Sequence, residues 1–557
     1  MNHIRPRFTL GLLLVAVASL SSTPSPRARA SDPVERLPVE ETRSWAILAD
    51  GRVKPLLTYA NEAALALTGR ESLDGLSSLE ILWGYILASD DFRDRPYLRI
   101  DSRDLKARLG LEASERRFSV ATLMGSPPFR GLVEEALRHQ QAEEELSGLE
   151  KGALDAYAKL NRAAGLIRGD ALTIVPILGE SADWTSPNAL QNAENPGGKA
   201  ISQGFVQLAA AYTEKNPHAF REAAKGLTAA LRNINPDVYP SEREIDRELF
   251  YEDFNAFGKA WKLYLVSFLL ILLLGFSSWS WGYLLGMLLL VAGFLCHTLG
   301  IGYRWVIAAR APVSDMYESL VFMGWGAIAL ALVPEILHRK RFVALAAGLT
   351  GFLCLAFAEN LPIDSAINPL VPVLAHTFWL SVHVMTIMLS YSALALTMVL
   401  GHIVLFLQLF RPGQTDLLRT LSGLLYRTLQ IGLLFLAAGI IFGAVWANES
   451  WGRYWGWDPK ETWSLITFFV YLAIVHARFA GWLRDFGLAA SSILGFLSVV
   501  MTYYGVNFIL AAGLHSYGFS EGGQLYALLY VVIEIAVISM AFLRHRSAIR
   551  PAMEAGH

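Results

Sequence analysis

Between Trp451 and Trp463 the chain reads WGRYWGWDPKETW: four tryptophans, a tyrosine, two glycines, an Asp-Pro pair and a Lys-Glu pair. Trp446 lies just upstream, so five indoles crowd one short segment between two apolar runs. Indoles scattered singly at helix ends form the aromatic belts of membrane proteins. A concentrated wall of them is instead an exposed apolar patch of the kind that binds something. Gly452 and Gly456 permit tight backbone turns and the close approach of a flat molecule. The chemistry expected of Trp446, Trp451, Trp455 and Trp457 is therefore recognition of a flat hydrophobic ligand. No Ser-His-Asp or Cys-His nucleophile arrangement stands out. Asp458-Pro459 followed by Glu461 suits a helix start, with an acid at the cap and proline in the first turn, so those residues are expected to be structural.

The elements that must position this segment are membrane helices. The chain has 557 residues, 54% hydrophobic but only 17% charged, against about 25% charged in ordinary soluble domains. A net charge of −2 gives no reason to expect a nucleic-acid partner. Residues 1–30 carry a basic start, an apolar run and an Ala28-Arg29-Ala30 cleavage pattern, the layout of a signal peptide. Residues 31–258 show helical spacing of apolar residues broken by loop signals such as ENPGGK and read as a mostly helical extracytoplasmic domain. Residues 259–545 hold about nine stretches of the length a bilayer demands: 262–280, 283–302, 316–337, 341–358, 380–409, 425–446, 461–478, 488–510 and 524–543. Residues 546–557 form a short tail. The fold class expected is thus an all-α polytopic membrane protein preceded by a helical domain. With that domain outside, the loops HRKR, 411–427 and 476–485 and the tail fall inside, and all are basic, as the positive-inside rule requires. The tryptophan segment then faces outward at the cytoplasmic (inner) membrane.

Several separated stretches carry a family resemblance. WANESWGRYWGWDPKETWSLI resembles the tryptophan-rich WWD signature of heme-handling proteins in cytochrome c biogenesis. HTLGIGYRWVIAARAPVSDMYESLVFMGW, FWLSVHVMTIMLSYSALAL, WSLITFFVYLAIVHAR and GLHSYGF are similar, in the same order, to the CcsA-type (ResC-type) subunit of the system II cytochrome c synthase. GRVKPLLTYANE (Gly51–Glu62) is similar to the segment preceding this module in longer family members. The resemblance implies that heme b is bound and presented at the outer face for thioether attachment to the CxxCH of apocytochrome c. It also implies transfer of heme across the membrane, and a place in a holocytochrome c synthase complex with a CcsB-type (ResB-type) partner. A thioredoxin-like thiol reductant is a further candidate partner. The chain has no CxxCH of its own. Its two cysteines, Cys296 and Cys354, sit far apart in apolar runs and read as packing residues.

Heme iron is most often held by histidine, and depth sorts the histidines. His297, His376, His383 and His515 lie near the outer face, and His402 and His476 near the inner. The family resemblance marks His383 and His515 as outer axial ligands and His476 as the ligand of a heme within the membrane. The second ligand at His476 stays open between a partner subunit, His402 and His297. His297, in the HTLG…RW motif, is expected near the heme path. Arg304, Arg310, Arg453 and Lys460 are the cations that could pair the two heme propionates. Two other functions fit less of the sequence: a heme-delivery module without synthase activity, and a bis-His b-type electron-transfer subunit using His402 and His476.

Overall fold

The computed structural model describes residues 36–142, 144, 146–177, 183–191, 193–276, 280–360, 363–370, 378–510 and 524–554. The expected signal peptide, His376 and His515 lie outside those residues. The chain divides into two compact units, Met1–Phe254 and Asn255–His557.

The first unit is helical and has, among the described residues, three two-stranded antiparallel ladders: β1 (Ala46–Ala49) with β2 (Arg52–Pro55), β3 (Leu98–Arg99) with β4 (Arg117–Phe118), and β5 (Val175–Pro176) with β6 (Trp184–Thr185). Its helices are α1 (Leu56–Thr68), α2 (Ser78–Leu87), α3 (Ser89–Asp94), α4 (Arg103–Leu109), α5 (Val120–Met124), α6 (Pro127–Gln141), α7 (Gly148–Arg168), α8 (Pro196–Thr213), α9 (Pro217–Ile234) and α10 (Glu242–Phe254). Local chemistry sets several boundaries. Ser77 with Glu80 and Ser147 with Glu150 form reciprocal capping boxes that satisfy the first N–H groups of α2 and α7. Gly69 and Gly169 end α1 and α7 in left-handed backbone. Trp45 and Trp83, both fully buried, meet edge to face at 5.8 Å in the core.

The segment GRVKPLLTYANE builds a polar clasp in this unit. Lys54 is fully buried, and its ammonium bonds Asp50 Oδ2 at 3.1 Å and the Glu62 carboxylate. Arg52 makes a two-pronged bond to Glu248 on α10, at 2.9 and 2.8 Å. Asn61 donates to Glu252 on the same helix at 2.9 Å and accepts from Ser78 at 2.5 Å. Burial holds the Glu62 carboxyl above its ordinary value, and Lys54 is the main opposing charge. Lys54→Met strands Glu62 and is expected to destabilise this unit by about 3 kcal/mol near neutral pH. A carboxyl with a raised folded pKa loses stability as pH rises through the window from its unfolded to its folded value. The variant widens that window, so its deficit should be small at pH 5 and larger at pH 8. Hydrogen exchange of β2 and α1 in the full chain reads both numbers, and a pH-independent deficit would reject the ion-pair account.

In the second unit nine helices, among the described residues, are long and apolar enough to cross a membrane. They are α11 (Ala256–Leu273), α12 (Ser280–Ala308), α13 (Met316–His338), α14 (Phe342–Asn360), α15 (Phe378–Phe410), α16 (Thr415–Trp451), α17 (Pro459–Phe479), α18 (Asp485–Val500) and α19 (Gln524–Glu554). The chain is a multi-pass membrane protein. α11 pairs with α12 and α14, α13 with α14, and α15 packs between α16 and α18. The helix count matches the sequence expectation, but two boundaries move. The stretch 411–427, expected as an inner loop, is helical from Thr415 because Leu418, Leu421 and Leu425 bury one continuous stripe with Leu429. At the other end α16 runs to Trp451, where Gly452, at φ 70°, ends it in left-handed backbone.

α18 changes register instead of ending. Met501–Leu510 continue it as a π-helix, a rare form that is mostly seen as single-turn bulges and is frequent at functional sites. The two ends of α13 are fixed by buried carboxylates. Near its start Glu318 sits between two arginines. Near its end Glu335 accepts from Tyr283 at 2.5 Å and from the Arg341 backbone at 2.9 Å.

Candidate ligand cavity

A cavity of about 570 Å³ opens where the starts of α13, α15 and α17, the end of α16 and the π-helix converge. Cofactor and drug-sized ligands occupy pockets of roughly 300–1,000 Å³. His383, on the first turns of α15, lines it. The ring is held from one side by α16. Nδ1 lies 2.7 Å from the carbonyl oxygen of Gly439. A carbonyl only accepts, so Nδ1 carries the proton and Nε2 the lone pair. That is the arrangement of a histidine prepared to ligate a metal. Gly443 makes the fit possible, since a Cβ there would stand 2.6 Å from His383 Cε1. Trp446, one turn further on, lies parallel to the imidazole at 6.1 Å with 7° between planes.

The indoles divide their tasks. Trp446 and Trp455 line the cavity. Trp451 meets Trp446 edge-on at 4.7 Å and so backs the wall. Trp457 meets Trp455 edge to face at 5.8 Å but leaves 70% of its surface exposed. Trp457 also takes φ 59°, a left-handed backbone uncommon for a bulky residue. The next residue, Asp458, caps α17 by accepting from the N–H groups of Lys460 and Glu461, both at 2.9 Å. Glu461 reaches back to the N–H of Gly456 and Asp458. The Asp-Pro-Lys-Glu run is thus helix-start chemistry that also shapes the loop.

Three residues expected at or near the ligand bond other parts of the fold. Arg304 is buried, with Nε 2.9 Å from Glu318 Oε1 and its terminal nitrogens on the carbonyls of Ser365 and Ala366 at 2.9 and 3.1 Å. Arg310 takes the other oxygen of Glu318 at 2.7 Å and the Asn368 carbonyl at 3.1 Å. The guanidiniums stitch the segment 365–368 to the start of α13, which forms one wall of the cavity. His297 is fully buried, accepts from Tyr264 at 3.2 Å and donates to the Val321 carbonyl at 3.1 Å. Both its nitrogens are engaged away from the cavity.

The deeper histidines stand apart. His402 Nε2 bonds Glu534 on α19 at 2.9 Å, and its Nδ1 faces the Met398 carbonyl at 3.0 Å. His476 is exposed on α17, its Nδ1 2.8 Å from the Leu472 carbonyl. His402 and His297 are therefore both occupied within the fold, and neither is arranged as a partner for His476.

Sequence reasoning missed Gly439 and Gly443, Glu318, Glu534 and Asn507. The spacing of small residues in GIIFG, typical of close helix packing in membranes, and acids within apolar runs were the available signals. In the first unit, Glu135, His139 and Glu150 bring possible metal-ligand atoms within 4.8 Å of one another. The Glu150 carboxylate already serves the cap of α7.

A bundle of this kind, with an imidazole and indoles walling a ligand-sized cavity at one end, defines a polytopic membrane protein with a candidate ligand site. The family model described as cytochrome C assembly protein matches residues 313–515, the stretch that carries this wall. The cytochrome c biogenesis protein CcsA of Synechococcus sp. (strain RCC307) is 38% identical over 266 residues, covering 42% of this chain and 84% of that one. CcsA of Guillardia theta is 39% identical over 248 residues, covering 40% and 81%. The chain belongs to the CcsA family of cytochrome c biogenesis proteins, as its motifs indicated. Protein NrfI of Wolinella succinogenes is 31% identical over 499 residues. That alignment takes in 84% of this chain, and so extends into the first unit, but the chain spans only 53% of NrfI. The solved cytochrome c heme lyase CcmF aligns with a TM-score of 0.38 at 15% identity, over 54% of this chain and 56% of that one.

Proposed function

We propose that the chain binds heme b as its substrate in this cavity, on the outer side of the cytoplasmic membrane, and presents it to apocytochrome c. The observation that carries the reading is His383: its Nδ1–H is fixed by the Gly439 carbonyl and its ring is parallel to Trp446. An imidazole so held offers Nε2 to an iron, and the flat indole offers a surface to the macrocycle. His515 supplies the opposite ligand in this reading. Held in one orientation, the vinyl groups meet the two thiols of CxxCH in a nearly intramolecular encounter. Each S–H adds across a vinyl C=C, sulfur to the carbon beside the ring and hydrogen to the terminal carbon. Nothing leaves, and no electron is transferred.

The N-terminal unit is extracytoplasmic on this reading, and the basic loops are inside. His476, exposed on α17 with Nε2 as its lone-pair nitrogen, serves a heme within the membrane together with a ligand from a CcsB-type partner chain. With His402 bonded to Glu534, nothing favours a b-type electron-transfer pair at that depth. Delivery of heme without thioether formation predicts the same cavity, and differs in whether a purified complex converts an apocytochrome peptide. The test is the reduced spectrum and pyridine hemochrome of the wild type and of the His383, His515 and His476 alanine variants. Absence of b-type heme from the wild type, with and without its partner, would refute the reading.

A further inference from the structure

Four cations were candidates for the anionic groups of a ligand, and the fold removes three. Arg304 and Arg310 share Glu318 and are bound to backbone carbonyls. Arg453 does not line the cavity, and its guanidinium lies over Gly456. Lys460 is different. It is partly buried and lines the cavity. Among the described residues no carboxylate lies within ion-pair distance of its ammonium. The two acids beside it in sequence are turned to backbone N–H groups, Asp458 to cap α17 and Glu461 to close the loop. Asp458 acts on the ammonium across space without bonding it, and a cation partly removed from water without a bonded counter-charge is costly, so its arrangement requires an explanation.

The ammonium is held in place. Nζ donates to Asn507 Oδ1 at 3.1 Å, and Asn507 is itself oriented by its Nδ2, which donates to the Tyr503 carbonyl at 2.9 Å. Both Tyr503 and Asn507 belong to the π-helix and line the same cavity. Tyr503 is in turn fixed by donating to the Met316 carbonyl at 3.0 Å. A second donor faces the same space. The indole Nε1 of Trp455 is buried and has no acceptor among the described residues. The cavity, whose lining also includes Asp315 and Glu461, therefore offers, among the described residues, an ammonium that no carboxylate bonds and an indole N–H without an acceptor, on walls shared with the imidazole of His383.

We infer that Lys460, positioned by Asn507 and assisted by the Trp455 N–H, forms an anion-anchoring subsite that takes a carboxylate of the cavity's ligand. The site thereby selects a macrocycle bearing free acid groups and sets which edge points toward the loop. This rests on the proposed heme reading and deepens it. Asn507 is a positioning residue: it touches the lysine and not the ligand.

The test uses iron protoporphyrin IX and its dimethyl ester, titrated by Soret absorbance into the full chain purified in detergent, with its partner subunit where that is needed for binding. Wild type is expected to prefer the diacid by about tenfold or more, corresponding to ~1.4 kcal/mol. Lys460→Met should bind the ester as wild type does while losing the preference, and unchanged ester binding shows that the variant is folded. Lys460→Arg should keep part of the preference, and Asn507→Leu should reduce it by less than Lys460→Met does. Equal binding of diacid and diester by wild type, with His383 still required, overturns the subsite and leaves the heme reading intact. A preference unchanged in Lys460→Met overturns it as well. Binding of neither compound by wild type overturns both.

Discussion

Glu318→Gln is expected to lower the stability of the membrane unit by about 3 kcal/mol or more, the usual cost of breaking a buried charge pair from one side. Glu318 is buried and binds both Arg304, at 2.9 Å, and Arg310, at 2.7 Å, while also accepting from the Ser314 N–H at 2.9 Å. Neutralising it leaves two guanidiniums in a low-dielectric setting with backbone carbonyls and, for Arg304, the Tyr317 ring at 5.1 Å and Asp315 at 3.9 Å in place of a bonded carboxylate. The damage should be local first. Residues 365–368 are tied to α13 through those same guanidiniums, so the wall of the cavity loosens before the bundle melts. The apparent unfolding midpoint in detergent and protease sensitivity near residue 365 are the measurements. Glu222→Gln is the control, because its pair with Lys225 leaves both side chains about 60% exposed, and such surface pairs contribute ~0–1 kcal/mol. If Glu318→Gln behaves like that control, the triad is not what braces this wall.

His383→Ala is expected to reduce co-purifying b-type heme by at least about tenfold, the effect of losing ~1.4 kcal/mol or more of binding. Added imidazole should restore it. The reason lies in the cradle and not in the histidine alone. Removing the side chain leaves a slot bounded by Gly439, Gly443 and Trp446. Free imidazole can enter that slot, donate to the same carbonyl and stack on the same indole. Gly443→Ala gives an independent reading of the geometry. Its new methyl would overlap the His383 ring, at 2.6 Å from Cε1 and 2.8 Å from Nδ1, so either the ring or α16 must shift. Heme loss is expected there too, but with no rescue by imidazole, because the slot itself is filled. Full heme retention in His383→Ala would remove this residue from the iron-binding role. Rescue in both variants alike would remove the cradle argument.

The membrane organisation was legible along the chain because apolar runs of the required length report directly on the bilayer as solvent. The nine spans and the grouping of His383 with Trp446 and Trp455 follow from one-dimensional order alone. The helix-start role of Asp458 and Glu461 was legible too, since capping chemistry is decided within four residues. Boundaries were less so. Thr415–Leu425 looked like a loop because charges interrupt it, yet its leucines share one helical face and bury it.

The four candidate cations are where sequence reasoning reached its limit. Arg304, Arg310, Arg453 and Lys460 were equivalent in sequence, each expected near the same membrane face and each near an acid. What separates them is which acid the fold brings within bonding distance. Glu318 reaches both Arg304 and Arg310, whereas Asp458 and Glu461 turn toward backbone N–H groups and leave Lys460 with Asn507. His297 and His402 show the same division. Depth in the membrane was readable for both, but the Tyr264 and Glu534 that occupy them come from helices 33 and 132 residues away in sequence. Composition and periodicity determined that this is a multi-pass protein with an aromatic loop and a set of histidines grouped at one membrane face. Only the tertiary structure decided which imidazole, indole and ammonium share a cavity, because pairing between distant helices depends on packing that no local pattern encodes.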